Sequence, residues 1–214
     1  MYSERNEEQV ILDYFGDFKG RYLDIGALDG VKSSNTLALA ELGWSGMAIE
    51  ASPLPFERLQ KNYQERGLDH IELVNCAYAP ESFPDQIKFY DFKEGRGLGS
   101  LSPNNLYWRP RVNKEKLDIY TVPTIKPSAV FRKPNFDFIS IDTEAFNLET
   151  IATIPWDKLK RLRLVCIELD ASPLRTIDFM TCVGFRMLAR VDPNLFFVRE
   201  NDRYQIQSTA LEIE

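Results

Sequence analysis

A short glycine-containing turn provides the first residues that could bind a ligand. An apolar run reads YLDIGALDG, which places Asp24, Gly26 and Gly30 where a strand turns into a helix. Ligands bind at this position in open α/β sheets. A pyrophosphate cradle needs the pattern G-x-G-x-x-G, whereas Ala27 and Leu28 follow Gly26 here. The turn therefore favours a ligand without a pyrophosphate.

Two carboxylates at the ends of neighbouring predicted strands suit a nucleoside that carries an amino acid. Asp24 could bind an ammonium group, and Glu50, in MAIEAS, could accept hydrogen bonds from both ribose hydroxyls. S-adenosylmethionine offers these groups and has no phosphate. The small side chains and the amide of Asn75, Cys76 and Ala77 could border its adenine ring. A lone acidic residue at a strand end is more often solvated or caps a helix, so the prediction depends on Asp24 and Glu50 occurring together.

Further carboxylates follow the fourth predicted strand. Asp142 and Glu144 are two residues apart and would point to one side of a strand, where Glu168 of the next strand could join them. Such a cluster could hold a catalytic base or a divalent ion. Alternatively, Asp142 holds the methionine end of the cofactor while Glu144 caps the following helix. The sequence leaves these three interpretations open, although a metal is not expected. His70, the sole histidine, is predicted at the surface.

A glycine-rich segment and a basic aromatic segment lie in the sequence between the candidate cofactor residues up to Ala77 and the carboxylates that begin at Asp142. The first reads EGRGLGSLS over 94–102 and predicts either a mobile lid or a hairpin turn. The second contains Trp108, Arg109 and Arg111, which could face a sugar that carries a carboxylate or a phosphate. A solvated basic patch is the other interpretation.

Short apolar runs alternate with segments of helical spacing, which is typical of parallel βαβ units. The predicted strands span 21–25, 46–50, 71–75, 86–92, 117–125, 137–141, 164–169, 185–191 and 195–199. The turn at 192–194 is short enough to force an antiparallel hairpin at the end of the sheet. Ser52 and Ser172 each precede a proline, which predicts a capped helix start.

Composition favours one globular α/β domain over 1–214, with an acceptor-side insertion at about 80–134. The net charge of -6 makes a nucleic-acid partner unexpected. Neither a signal-peptide core nor an 18-residue apolar run occurs, so membrane insertion is not expected and the predicted location is cytoplasmic. The three cysteines are predicted to be reduced.

Several motifs follow one another along nearly the whole chain in an order that is typical of one protein family. The first is YSERNEEQVILDYF at 2–15, and the second includes the YLDIGALDG turn, 34–36, 43–44 and 49–50. The third reads IDTEA at 141–145 and is followed by an Ile-Glu strand end. In this order they resemble the FkbM-type family of S-adenosylmethionine-dependent methyltransferases. Two positions depart from the family pattern, since Glu4 replaces a glutamine and Ala145 a glycine.

The resemblance implies a Rossmann-like class I methyltransferase fold with helices on both faces of the sheet. It also implies methyl transfer from S-adenosylmethionine, most often to an oxygen on a sugar or small metabolite. Asp142 and Glu144 are the candidate catalytic residues. The candidate cofactor-binding residues are Asp24, Gly26, Ala27, Gly30, Asn35, Glu50, Ala51, Asn75, Cys76, Ala77 and Asp142.

Two other functions compete with this interpretation. One is a methyltransferase-like binding module that keeps the fold without turnover. The other is an NAD-dependent oxidoreductase, which the missing third glycine and the closing hairpin both disfavour. The acceptor could be a small molecule or a glycan, and no pattern in the sequence predicts an oligomeric state.

Overall fold

A seven-stranded sheet forms the centre of the protein in the computed structural model, which describes residues 2–92, 99–101, 117–144, 146–169 and 173–204. The described ranges contain ten strands, in chain order β1 Arg21–Ile25, β2 Ser45–Glu50, β3 Ile71–Asn75, β4 Ala77–Tyr78, β5 Gln86–Phe92, β6 Leu117–Ile125, β7 Phe138–Ile141, β8 Leu164–Glu168, β9 Phe185–Val191 and β10 Asn194–Arg199. The helices are α1 Glu7–Phe15, α2 Leu37–Glu41, α3 Pro53–Glu65, α4 Pro127–Val130, α5 Asn147–Thr153 and α6 Pro173–Cys182.

The main sheet has the order β3-β2-β1-β7-β8-β10-β9. Its first five strands pair in parallel, whereas β10 is antiparallel to both β8 and β9. The predicted sheet with its C-terminal antiparallel hairpin is therefore confirmed. The order changes direction at β1, so the crevice beside the carboxyl ends of β1 and β2 is where this class of fold binds ligands.

Hydrophobic cores cover both faces of the main sheet. One core joins Tyr22 and Phe138 of the sheet to side chains of α1, α2 and α3. The other joins Leu23 and Ile139 to side chains of α4, α5 and α6. Neighbouring strand residues thus point to opposite cores, as the period of a strand requires. The double burial explains why these strands are apolar at successive positions.

A second sheet of three strands takes two of them, β5 and β6, from the segment 80–134. It has the order β4-β6-β5, with β4 parallel and β5 antiparallel to β6. The sequence predicted β5 and β6, but it did not predict β4, because a two-residue strand has no measurable period. Since β4 follows β3 after a single residue, it places the small sheet beside the carboxyl end of the main sheet.

The predicted cap of α3 is wrong in one respect. Ser52 precedes the helix and Pro53 occupies its first turn, but the serine side chain makes no capping hydrogen bond. Its hydroxyl instead donates to the carboxylate of Asp91 on β5. The serine therefore joins α3 to the small sheet. Ser172, the second predicted cap, lies outside the described residues.

The predictions for the cysteines and His70 agree with the structure. All three cysteines are free, and Cys76 and Cys166 are buried. His70 is exposed in the turn before β3. No helix in the described part of the chain is both long enough and apolar enough to span a membrane.

Candidate cofactor and acceptor site

A pocket opens between the carboxyl edge of the main sheet and the small sheet. The main sheet contributes residues at the ends of β1, β2, β3 and β7, and the small sheet contributes residues of β4 and β5. The lining residues are Ile25, Gly26, Leu28, Ile49, Glu50, Ala51, Ser52, Cys76, Ala77, Tyr78, Phe89, Asp91, Gly99, Leu101, Asp142, Thr143 and Glu144.

The turn at Gly26 forms the floor of this pocket. Gly26 has a φ of 94°, and its N–H donates to the carbonyl of Ile49 at 2.9 Å. A Cβ at this position would lie 1.6 Å from the backbone oxygen of Asp142. Only glycine therefore permits the ends of β1, β2 and β7 to meet so closely.

Gly30 closes the same turn but does not line the pocket. Its φ is 72°, and a Cβ there would lie 2.3 Å from Leu59 and 2.5 Å from Tyr63 of α3. The glycine thus permits α3 to pack against the turn. Ala27, the next predicted cofactor residue, is buried in the core on that side and likewise does not line the pocket.

Asp24 lies beneath the turn, 6% exposed, and is not among the lining residues. The Thr36 hydroxyl donates to its carboxylate at 2.7 Å. Burial raises the pKa of Asp24 to about 7, an increase that the bond from Thr36 opposes and nearby Asp142 reinforces. Asn35 also lies behind the turn, where its amide contacts the Ser140 hydroxyl at 3.3 Å.

Glu50 reaches the pocket from the end of β2 and is 7% exposed. The backbone N–H groups of Leu28 and Ser52 donate to its two carboxylate oxygens, at 2.9 and 2.6 Å. Burial raises the pKa of Glu50 to about 8, although both N–H donors favour the ionised form and lower it. Each oxygen thus accepts one of these bonds, whereas an ionised carboxylate offers about four acceptor positions.

The turn after β3 borders the pocket with apolar atoms. Cys76 and Ala77 line it, as Ala51 does from the end of β2. Burial raises the pKa of the Cys76 thiol to about 12, so the residue is neutral near pH 7. Asn75 is not among the lining residues, because its amide donates to the backbone oxygens of Glu50 and Ala51, at 2.9 and 3.3 Å.

Three carboxylates meet on the other side of the pocket. Asp142, Glu144 and Glu168 each place an oxygen within 4.8 Å of the others, a spacing that could hold a metal ion. Because β7 ends at Ile141, the first two project from a loop and not from alternating strand positions. Glu144 has a φ of 48°, a conformation that is uncommon outside glycine and occurs at strained functional sites.

Sequence reasoning missed the side chains that the small sheet adds to the pocket. Phe89 and Asp91, two residues apart on β5, both line it. Gly99 and Leu101 also line it, but they belong to the glycine-rich segment 94–102, which the sequence predicted as a lid or a hairpin turn. Alternation along β5 predicts that Phe89 and Asp91 share a face, but no local pattern predicts which partner that face meets.

Much of the predicted acceptor side lies outside the described residues. Of the glycine-rich segment 94–102, the structure describes only 99–101, where the backbone of Ser100 pairs with Tyr90 at 3.0 and 2.9 Å. Trp108, Arg109, Arg111 and Ala145 lie outside the described residues.

Solved structures share this fold at low sequence identity. A Streptococcus pneumoniae protein assigned as a tRNA (m1A22) methyltransferase, solved with S-adenosyl-L-methionine, has a TM-score of 0.53 at 15% identity, covering 98% of this chain and 77% of that chain. The METTL16 methyltransferase domain has a TM-score of 0.52 at 17% identity, with 92% and 67% covered. These likenesses show a Rossmann-like methyltransferase fold.

Sequence comparison identifies the family. No curated protein matches the sequence significantly. The sequence model of the methyltransferase FkbM domain, however, matches residues 24–187. This range is more than half of the chain and contains the Gly26 turn, Glu50 and the Asp142 loop. The chain therefore belongs to the FkbM methyltransferase family.

Proposed function

We propose that this protein transfers the methyl group of S-adenosylmethionine to a hydroxyl oxygen of a sugar or small metabolite. The observation that carries the proposal is the position of Glu50. Its two oxygens accept one backbone N–H each within the lining of the pocket. A second acceptor position on each oxygen matches the two hydroxyl donors of a ribose.

The other lining residues fit the remaining parts of the cofactor. Ala51, Cys76 and Ala77 offer apolar surface beside Glu50 for a base. On the other side, the Gly26 turn brings Asp24 and Asp142 close together, and we assign the ammonium end of the cofactor to this neighbourhood. The turn between β1 and α2, which the structure describes in full, lacks the G-x-G-x-x-G pattern of a dinucleotide phosphate cradle, and this favours S-adenosylmethionine over NAD.

When bound, the cofactor supplies an electrophilic methyl carbon. The protein must then align the acceptor hydroxyl and accept its proton. Asp142 and Glu144 are the candidate bases, because both line the pocket and their oxygens lie within 4.8 Å of a third carboxylate, that of Glu168. Like charges so close together favour the uptake of a proton.

Binding experiments test the cofactor assignment. Isothermal titration of the full chain with S-adenosylmethionine should give micromolar binding, and titration with NAD should give none. Glu50→Gln should weaken binding at least tenfold, because its NH₂ group cannot accept a ribose hydroxyl and a buried hydrogen bond left unmade costs about 1–3 kcal/mol. Glu57→Gln changes an exposed glutamate of α3 and should leave the affinity unchanged.

A transfer assay with a radiolabelled methyl group then tests the acceptor class. Sugars, glycans and small hydroxylated metabolites should include an acceptor whose labelling is lost in Asp142→Asn or Glu144→Gln. Tight cofactor binding without labelling of any acceptor would favour the inert binding module. A preference for NAD would contradict the proposal as a whole.

A further inference from the structure

One face of β5 completes the apolar end of the pocket. Phe89 and Asp91 lie two residues apart and both line it. Phe89 packs with Ala77 in a small core that also contacts Ala51. Asp91 is only 1% exposed, so a carboxylate is buried beside apolar surface that suits a flat aromatic ligand.

Asp91 is held in place by two donors. The hydroxyl of Ser52 donates to one carboxylate oxygen, and the backbone N–H of Phe92 donates to the other at 2.7 Å. These contacts use two of the roughly four acceptor positions of a carboxylate. Burial raises the pKa of Asp91, while the two donors favour its ionised form.

The turn after β3 provides no equivalent group. Asn75 is the polar side chain there, and its amide is engaged by the backbone oxygens of Glu50 and Ala51. The next two residues, Cys76 and Ala77, offer sulfur and methyl surface. Among the described residues around this end of the pocket, the lining carboxylates are therefore Glu50 and Asp91.

We propose that Asp91 selects the base of the cofactor by accepting a hydrogen bond from the exocyclic amine of adenine. This inference rests on the proposed function, because it assumes that the nucleoside of S-adenosylmethionine occupies the pocket. Ser52 acts as a positioning residue, since its hydroxyl fixes the carboxylate against the start of α3. Base specificity thus comes from β5 of the small sheet.

A carboxylate that faces position 6 distinguishes adenine from hypoxanthine, which has a carbonyl oxygen there and an added hydrogen on the neighbouring N1. Adenine presents an amine, which donates, whereas hypoxanthine presents a carbonyl oxygen, which only accepts. An ionised Asp91 facing that carbonyl would leave two buried acceptors opposed, and a site built for a hydrogen bond rejects a ligand that cannot form it. An asparagine could instead turn its NH₂ group toward the carbonyl.

Titration of the full chain with S-adenosylhomocysteine and S-inosylhomocysteine tests the inference. The unaltered protein should bind the adenine ligand at least tenfold more tightly. Asp91→Asn should bring the two affinities to within about threefold, mainly by improving binding of the inosine ligand. Asp85→Asn, an exposed position before β5, should keep the original ratio. Should Asp91→Asn fold poorly, Asp91→Ala tests the same loss of selectivity.

The outcomes separate this inference from the proposed function. Equal binding of the two ligands by the unaltered protein, or an unchanged ratio in the Asp91 variants, would overturn the role of Asp91 and leave the cofactor assignment intact. Failure of the unaltered protein to bind either ligand would overturn the cofactor assignment and this inference with it.

Discussion

At the scale of single residues, Gly26 shows why a site residue can be required without contacting a ligand through a side chain. Its positive φ and the 1.6 Å distance from a built Cβ to the Asp142 oxygen are two separate constraints. The first excludes most residues because of backbone strain. The short distance excludes every side chain, because the atom that a Cβ would meet belongs to the backbone of Asp142 and cannot rotate away. Gly26 therefore fixes the end of β7, and with it the Asp142 loop, against the end of β1.

Two alanine substitutions separate these constraints. Gly67 also has a positive φ, 67°, but a Cβ there would meet nothing within 4 Å. Gly67→Ala should lower the free energy of unfolding by only about 1–2 kcal/mol, the cost of the left-handed conformation. Gly26→Ala should lower it by about 3 kcal/mol or more and abolish cofactor binding, because strands must move apart. Urea denaturation measures both, and equal losses would contradict the steric argument.

From the residue types near strand ends, the sequence predicted where the site lies more accurately than it predicted which side chains line the pocket. Gly26, Glu50 and Asp142 line the pocket, whereas the predicted residues Asp24 and Asn35 lie behind the turn. The type and spacing of a polar residue show that it lies near the end of a strand. Which of its neighbours takes the hydrogen bond depends on parts of the chain distant in sequence, as the Asn35–Ser140 contact illustrates.

At the scale of elements, the small sheet forms one wall of the pocket. The sequence predicted β5 and β6 as strands, but their placement follows from the pairing of β6 with β4 at Ala77 and Tyr78. That pairing turns the Phe89 face of β5 toward the ends of β2 and β3. Local periodicity carries no information about such a long-range contact, so this wall could not be predicted.

The small sheet should open independently of the main sheet when its own core is reduced. Phe89 packs with Ala77 and Val122 in that core, apart from the two large ones. Phe89→Ala should lower the free energy of local opening of the small sheet by about 3 kcal/mol. It should also weaken cofactor binding. Hydrogen–deuterium exchange should then increase in β5 and β6 but not in β1 or β7.

The matched control for this prediction is Ile119→Ala on β6, where the side chain is 61% exposed. Removing an exposed side chain should change the opening free energy by less than about 0.5 kcal/mol. Faster exchange throughout the main sheet of Phe89→Ala would show that the two sheets unfold as one unit.

At the scale of the whole molecule, the pocket is built at a cost in stability. The two cores bury both faces of the sheet, yet Asp24 and Glu50 are also buried at the ends of β1 and β2. Burial disfavours their charged forms and raises the pKa of Asp24 from 3.8 to about 7 and that of Glu50 from 4.5 to about 8. At a pH between the unfolded and folded pKa values, Asp24 and Glu50 are therefore protonated in the folded chain and ionised in the unfolded chain.

This difference in bound protons predicts the sign of the pH dependence. Because the folded state binds more protons between about pH 4 and pH 8, the contribution of these two groups to stability declines as pH rises through that range. The slope is at most about 1.4 kcal/mol per pH unit for each group. Asp24→Asn keeps an acceptor for the Thr36 hydroxyl and has no charge to bury. Its stability relative to the unaltered protein should therefore increase from pH 5 to pH 7.

Urea denaturation at pH 5, 6, 7 and 8 measures this difference, and Glu50→Gln should show the same trend extended to pH 8. Asp69→Asn, which removes a carboxylate from the surface, controls for the loss of one negative charge and should follow the unaltered protein. A constant difference between Asp24→Asn and the unaltered protein across the range would mean that Asp24 is already ionised at pH 5 in the folded chain. The Thr36 hydroxyl and the surrounding dipoles would then outweigh burial, and Asp24 would carry a full negative charge beneath the Gly26 turn at every pH in that range.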